Sequence, residues 1–422
     1  MDKQITKKQI TASGLLIALC WLAYACSLVG KVNYAASITQ VELFFGVSHA
    51  EAGIVSTFYF FAYGTGQIIN GIFSKRYNLK YVIFGSLLLS GVFNLVVGIT
   101  DSFAVIKWVW LLNGICVSAL WPCIIRLLSE TLSKRQMVKA SVVMGTSTAT
   151  GTLIAYGLSS LFTALSIFRF SFYTAALLLP IGGILWLCAF SKLTKKAREE
   201  GIREDEEDGV AVVQAPVAAE KTRKRGIPRD LLIITVLLAV FAVTGNFIKD
   251  GLTTWVPSIL KEEYGLSASL SILLTLFLPV LNIFGNLFAN KLYKRLGDFI
   301  VVCGVLFLGA TALTGCVIGS LSLKTAVITL CAFAFTCFLS SATHSAIVSV
   351  FPLQMKEKVN SGMMAGLMNG FSYVGSALSS YGLGAVADAW GWTTVFWLLF
   401  CICATSTVIA VVYKVVKIFV KK

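Results

Sequence analysis

The stretch SGLLIALCWLAYACSLVG, residues 13–30, runs eighteen residues without a charge, and Lys31 follows it at once. A hydrocarbon core of ~30 Å needs about 20 residues of helix to cross it. A crossing segment must satisfy its own backbone hydrogen bonds, so it reads as α-helix. Runs of this kind recur along the chain. Twelve are expected, at residues 11–37, 50–73, 80–100, 103–131, 138–165, 169–190, 230–258, 266–290, 298–319, 324–351, 359–386 and 392–413. The fold class is therefore expected to be an all-α integral membrane protein with twelve transmembrane helices.

Composition points the same way. The chain is 57% hydrophobic and 13% charged, with mean hydropathy +0.83; soluble domains carry about 25% charged residues. The basic start MDKQITKKQI leads into a full span without a small-residue cleavage site, so no cleavable signal is expected. Most of the eleven cysteines lie inside apolar runs and read as small apolar residues of helices. His49 and His344 have no metal-ligand spacing, and no Walker A sequence is present. Neither a metal nor a cofactor is expected, and an enzyme or an ATP-driven pump is disfavoured.

The net charge of +15 raises the question of a nucleic-acid partner. Its distribution gives another reason for it. Of 35 Lys and Arg residues, 28 fall in the N-terminus, alternate loops, a central segment and the tail, all on one side of the expected membrane. By the positive-inside rule that side is cytoplasmic, and so are both termini. The basic run KTRKR beside the seventh span reads as a lipid-facing or topology-setting segment. The lipid bilayer is the expected partner, with no nucleic acid.

Residues 191–229 contain KKAREEGIREDEEDG and EKTRKRGIPRD and are expected to form a flexible cytoplasmic linker. It would separate two six-helix bundles, 1–190 and 230–422. Three landmarks support a repeat: Lys75-Arg76 returns at Lys294-Arg295, Lys31 at Lys249 and Gly151 at Gly375, at offsets of 219, 218 and 224. Parallel halves of this kind place a substrate site at their interface.

A few charges remain inside the expected spans: Lys31, Lys249 with Asp250, Arg126 with Glu130, and Asp388. A buried cation costs at least ~2.5–3.5 kcal/mol on insertion scales. Either lysine alone fits a snorkelling helix end as well as a cavity. At matching places in two halves, they point to a shared anion site. Tyr24 lies two turns before Lys31, and Asn246 lies three residues before Lys249. Tyr63 with Gln67, and Asn369 with Tyr373, are i, i+4 pairs, while GTSTATGT places Thr148 in the fifth span. Each of these also suits ordinary helix packing.

The segments YACSLVGKVNYAAS, FAYGTGQIINGIFSKR, LWPCIIRLLSETLSKRQ, NFIKDGLTTWVPSILKE and GLMNGFSYVGSALSSYGLGAVADAWGW together resemble the organophosphate:phosphate antiporter family of the major facilitator superfamily. The resemblance covers nearly the whole chain outside the central linker. It implies the two-bundle major facilitator fold and rocker-switch alternating access. It also implies two cationic residues in the first and seventh spans that bind substrate phosphate, and these fall on Lys31 and Lys249. Site tyrosines of the family fall on Tyr24, Tyr63 and Tyr373.

Departures from the pattern are specific. The family's basic pair is typically arginine, which grips phosphate with a planar fork, whereas lysine is a point charge. A fifth-span histidine of glycerol-3-phosphate carriers aligns near Thr148, a second-span lysine near Gln67, and the superfamily's loop acid falls on Lys75. These changes argue against glycerol 3-phosphate itself.

The expected function is secondary active transport of a small organic anion, a phosphate ester exchanged for inorganic phosphate, by a monomer in a bacterial cytoplasmic (inner) membrane. Two alternatives stay open. One is a proton-coupled carboxylate or sugar-acid symporter, with Asp250 as the coupling group and the proton as co-substrate. The other is a transporter-like membrane sensor of sugar phosphate.

Overall fold

The structure, a computed structural model, describes residues 11–73, 76–207, 229–322, 325–355 and 361–421. The expected linker beyond Glu207, the first ten residues, Lys75, Lys324, Lys356 and Lys358 lie outside that description. The described residues are helical almost throughout, with no strand among them.

Sixteen α-helices follow one another: α1 (Ala12–Ala36), α2 (Ile38–Phe45), α3 (His49–Phe73), α4 (Leu79–Ile99), α5 (Phe103–Val117), α6 (Leu120–Thr131), α7 (Lys134–Ala164), α8 (Phe170–Glu207), α9 (Arg229–Tyr264), α10 (Ala268–Thr275), α11 (Phe277–Asn282), α12 (Gly285–Leu296), α13 (Phe299–Ser322), α14 (Ala326–Ser345), α15 (Phe351–Gln354) and α16 (Ser361–Lys421). Nine segments among the described residues are long and apolar enough to cross a membrane, with α5–α6 and α10–α12 each counted as one. The last of these covers 57 residues and contains Gly391 at φ 76°, a left-handed backbone that divides α16 into two arms. Helices α3 and α7, at 25 and 31 residues, reach spanning length with a more polar sequence. The boundaries of these segments lie close to those expected from the apolar runs.

Two helices break where the sequence reading continued them. The fourth segment bends at Ser118–Ala119, and the eighth is interrupted at Leu276 and again at Ile283–Phe284. Pro279 lies in the short middle piece and removes one backbone donor there. The first part of the charged segment, residues 191–207, is helical and continues α8. Helix α8 continues to Glu207 because its acidic face has work at the start of α1 and α7. Glu200 accepts from the Ala12 and Ser13 amides at 2.9 and 2.8 Å, and Glu204 accepts from the Ser133 hydroxyl at 2.7 Å. The charged extension thus satisfies helix-end donors that have no intrahelical acceptor.

Helix α1 packs on α7 and α8, and α9 packs on α14 and α16. The same device closes both contacts. A Cβ on Gly151 would fall 2.5 Å from the Ala25 carbonyl oxygen, and one on Gly375 would fall 2.0 Å from that of Val243. Each carbonyl lies six residues before one of the two lysines. Glycine at those two positions lets a neighbouring helix reach the lysine-bearing one. Across the molecule, α3 lies along α16, α7 meets α10, and α1 touches α9.

Candidate functional site

Lys31 is set among tyrosine rings from two helices. Its Nζ lies 4.0 Å from the centroid of Tyr63, 5.4 Å from Tyr373 and 5.8 Å from Tyr59. Tyr59 and Tyr63 are one turn apart on α3 and stack at 5.7 Å. Tyr373 comes from α16 and meets Tyr63 edge-on at 4.9 Å. Gly64 permits this approach, since a Cβ there would come 2.6 Å from that of Tyr373. The ring faces attract the ammonium. No carboxylate among the described residues lies within ion-pair distance of it.

The other residues expected near Lys31 gather as a second layer. Gln67 Nε2 donates to the Tyr63 hydroxyl at 2.8 Å, and Asn369 Nδ2 donates to Gln67 Oε1. Tyr24 packs its ring on Trp121 at 4.7 Å, while its hydroxyl faces Tyr63 and Thr148. Tyr24 and Lys31, two turns apart on α1, thus both meet Tyr63.

The backbone beneath Lys31 is held from the other side. The Gly30 carbonyl accepts from Asn94 Nδ2 at 3.2 Å and Asn113 Nδ2 at 3.1 Å. Asn33 Nδ2 donates to Asn94 Oδ1 at 2.8 Å, and Ser90 Oγ donates to Asn113 Oδ1 at 2.7 Å. All four side chains are buried. Removing one amide leaves its partners unpaired in a dry interior, at a cost of about 1–3 kcal/mol. Asn113→Ala is expected to lower the melting temperature of the purified protein by several degrees; a melting temperature unchanged to within about a degree would show the network to be idle.

Lys249 stands differently. Its Nζ lies 3.3 Å from Asp250 Oδ1, and the two side chains are 19% and 18% exposed. Asp250 Oδ2 also accepts from Asn246 Nδ2 at 3.4 Å and from Ser376 Oγ. Asn246, three residues before Lys249 and four before Asp250, gives its amide to the carboxylate. It also donates to Ser376 at 3.3 Å. Lys31 lies within electrostatic reach of both Asp250 and Lys249. The interior thus holds two cations and one anion in mutual reach, flanked by hydroxyls and aromatic faces. Such a set can hold one further anion.

A second cluster closes the end of the bundle opposite the basic loops. Ring nitrogens of His49 face Glu42 Oε1 at 2.9 Å and Glu262 Oε2 at 3.3 Å. Only a doubly protonated ring can donate to both. Trp392 Nε1 also donates to Glu262 at 2.8 Å. Asp388 accepts from the His49 and Ala50 amides at 3.1 and 2.8 Å, so it caps α3 from α16. Burial raises the Glu42 carboxyl above the usual range, and the hydrogen bond from His49 pulls it back. The donor atoms of Glu42, His49 and Glu262 lie within 4.8 Å of one another, a spread that a cation site also shows. Here each carboxylate takes a different edge of the ring, as in a bridged imidazolium.

Arg126, singled out as an intramembrane charge, pairs with Glu130 at 2.7 Å on its own helix. Tyr59 and Ser376 are site neighbours that the sequence reading missed. Tyr59 could have been found by extending the Tyr63–Gln67 spacing back one turn, and Ser376 lies three residues beyond Tyr373. The His49 cluster had no such signal, because its members come from three distant segments.

The comparisons with known proteins agree with this architecture. A hexuronate transporter of Bacillus subtilis (strain 168) is 25% identical over 84% of this chain and 85% of its own. The membrane sensor protein UhpC of Escherichia coli (strain K12) is 20% identical over 90% of this chain and 87% of its own. A probable hexose phosphate transport protein of Chlamydia pneumoniae is 22% identical over 83% and 80%. Among solved structures, a bacterial homolog of the human lysosomal transporter Spinster, in an inward-facing and occupied conformation, superposes with TM-score 0.65 over 97% of this chain and 95% of that one, at 15% identity. That likeness concerns the fold. The model of the Major Facilitator Superfamily matches residues 20–361. With its multi-pass helical bundle and charged interior, the chain is a membrane transporter, not an enzyme, and it belongs to the Major Facilitator Superfamily.

Proposed function

We propose that this transporter carries a small organic anion, a phosphate ester exchanged for inorganic phosphate. The two bundles, 1–190 and 230–422, would rock about a site between them. Lys31 and Lys249 would clamp the anion, while Tyr24, Tyr63, Gln67, Thr148, Asn246, Asn369 and Tyr373 would line and shape its surroundings. The observation that carries this reading is Lys31: a cation inside the bundle with tyrosine faces around it and no paired acid among the described residues. A charge of that kind is costly in a membrane unless a ligand answers it. Hexose phosphate transport proteins among the relatives support the phosphate-ester reading.

The positive-inside distribution supports placing both termini in the cytoplasm of a bacterial inner membrane. With that orientation the His49–Glu262 and Asp388 contacts lie at the outer end.

A carboxylate substrate is the second reading. Asp250 beside Lys249 favours it, since an acid in the site can carry a proton, and so does the hexuronate transporter among the relatives. The test is a thermal-shift screen of purified protein with inorganic phosphate, hexose phosphates and hexuronates, followed by exchange against labelled phosphate in liposomes. Phosphate-ester exchange is expected. Uptake of a hexuronate that collapses with the pH gradient, without phosphate exchange, would replace the first reading by the second.

A further inference from the structure

Helix α14 carries a stripe of polar groups outside the anion clamp. Thr336, Ser340 and His344 recur every four residues and so share one helix face. Thr336 Oγ1, Ser340 Oγ and His344 Nδ1 are buried, and each lacks a hydrogen-bond partner among the described residues. Two more atoms of this kind sit on the helices packed against that region, Asn246 Oδ1 on α9 and Asn282 Oδ1 on α11. Native interiors leave few buried polar atoms unpaired, and a local concentration calls for a reason.

The surroundings limit what that reason is. Ser341, beside the stripe, donates to the Asn282 carbonyl at 3.5 Å, so α11 lies against α14 at this level. Cys337 contacts the Lys249 carbonyl at 3.8 Å, and a Cβ on Gly245 would lie 3.5 Å from the Thr343 methyl, so α9 lies there too. His344 is within electrostatic reach of Lys249 and Asp250. Just beyond it, α14 gives way to a π-helical turn at Ala346–Val350. Such turns are frequent at functional sites. Thr336 and Ser340 are closed off, whereas His344 and Asn282 are only half-buried as whole residues. With Nδ1 buried and unpartnered among the described residues and the residue as a whole half-buried, a ligand reaches the His344 ring at its Nε2 edge, where an imidazole donates or accepts according to its tautomer.

We propose that His344 and Asn282 form a neutral subsite beside Lys249 that binds the hydroxyl-bearing part of the transported anion. The inference rests on the anion-clamp reading above and adds what selects among anions. Hydroxyls both donate and accept, which suits an imidazole edge beside an amide. The subsite has no net charge of its own, so it distinguishes a sugar phosphate from bare phosphate without competing for the phosphoryl group.

The test uses binding to the purified full-length protein with two probes, a hexose phosphate and inorganic phosphate. His344→Ala and Asn282→Ala are each expected to weaken hexose phosphate binding about tenfold and to leave phosphate binding within about twofold. His344→Gln, which keeps an N–H donor, is expected to recover most of the loss. Melting temperatures near wild type guard against a folding defect. Equal loss of both probes, or loss of neither, overturns the subsite even if Lys249→Ala still abolishes phosphate binding. If Lys249→Ala leaves phosphate binding intact while His344→Ala weakens the hexose phosphate alone, the subsite stands and the clamp falls. If neither probe binds the wild-type protein, both fall together.

Discussion

Lys31→Ala is expected to weaken inorganic phosphate binding by at least about 100-fold, which corresponds to roughly 2.7 kcal/mol. A charge-assisted hydrogen bond contributes about 1.5–3 kcal/mol, and the low-dielectric surroundings of Tyr59, Tyr63 and Tyr373 strengthen the Coulomb attraction beyond that. Lys249→Ala is expected to cost a similar factor for an additional reason. It leaves Asp250, 3.3 Å from the missing ammonium, as an uncompensated negative charge facing the anion. Asp250→Asn on that background is therefore expected to recover part of the loss, whereas on the Lys31→Ala background it recovers less. Lysine-to-arginine changes are expected to bind but to reorder the preferred anions, because the planar fork suits phosphate better than a point charge does. Titration calorimetry of the purified variants decides the matter. Binding within about twofold of wild type for both alanine variants would remove the clamp.

Gly53→Val is expected to reduce transport at least about tenfold by preventing closure of the His49 end. A Cβ at residue 53 would lie 2.1 Å from the Ser380 carbonyl oxygen and 3.0 Å from Trp255 Cζ2. Opposite it, a Cβ on Gly384 would lie 2.7 Å from the His49 carbonyl oxygen. Both obstacles are rigid: one helix backbone meets another. The clash exists only where α3 and α16 are pressed together, so the substitution penalises this conformation and favours one with that end apart. A spectroscopic distance between labels on the tips of α3 and α16 should lengthen in the variant. Gly384→Ala, with its smaller side chain, serves where Gly53→Val folds poorly. Wild-type transport and an unchanged distance in both variants would mean that this closure is not part of the cycle.

Much of this molecule is legible along the chain. The helices follow from runs such as residues 13–30, because a backbone without water must bond to itself and only length and apolarity are needed to see it. The paired lysines were visible for the same reason: a charge stands out where charges are expensive. Local spacing found Tyr63 with Gln67 and Asn369 with Tyr373, and both pairs lie at the site. Spacing gives a neighbourhood and not the partners within it. Tyr24, two turns before Lys31, packs its ring on Trp121 and turns its hydroxyl to Tyr63, and Asn246, three residues before Lys249, donates to Asp250. The charges after residue 191 suggest a solvated segment, and only the structure shows Glu200 and Glu204 used by the ends of α1 and α7.

Sequence alone therefore determined what must be helix, which residues are anomalous in a membrane, and that two such anomalies recur in register. Tertiary structure alone decided their partners: that Lys31 meets rings and no acid among the described residues, that Asp250 is tied to Ser376 across 126 residues, and that His49, already near Glu42, reaches Glu262 across 213. Secondary structure in a bilayer is set by each segment's own backbone and solvent. A side chain's partners depend on which helices the small residues at Gly64, Gly151 and Gly375 allow to touch, and on the depth at which they do so.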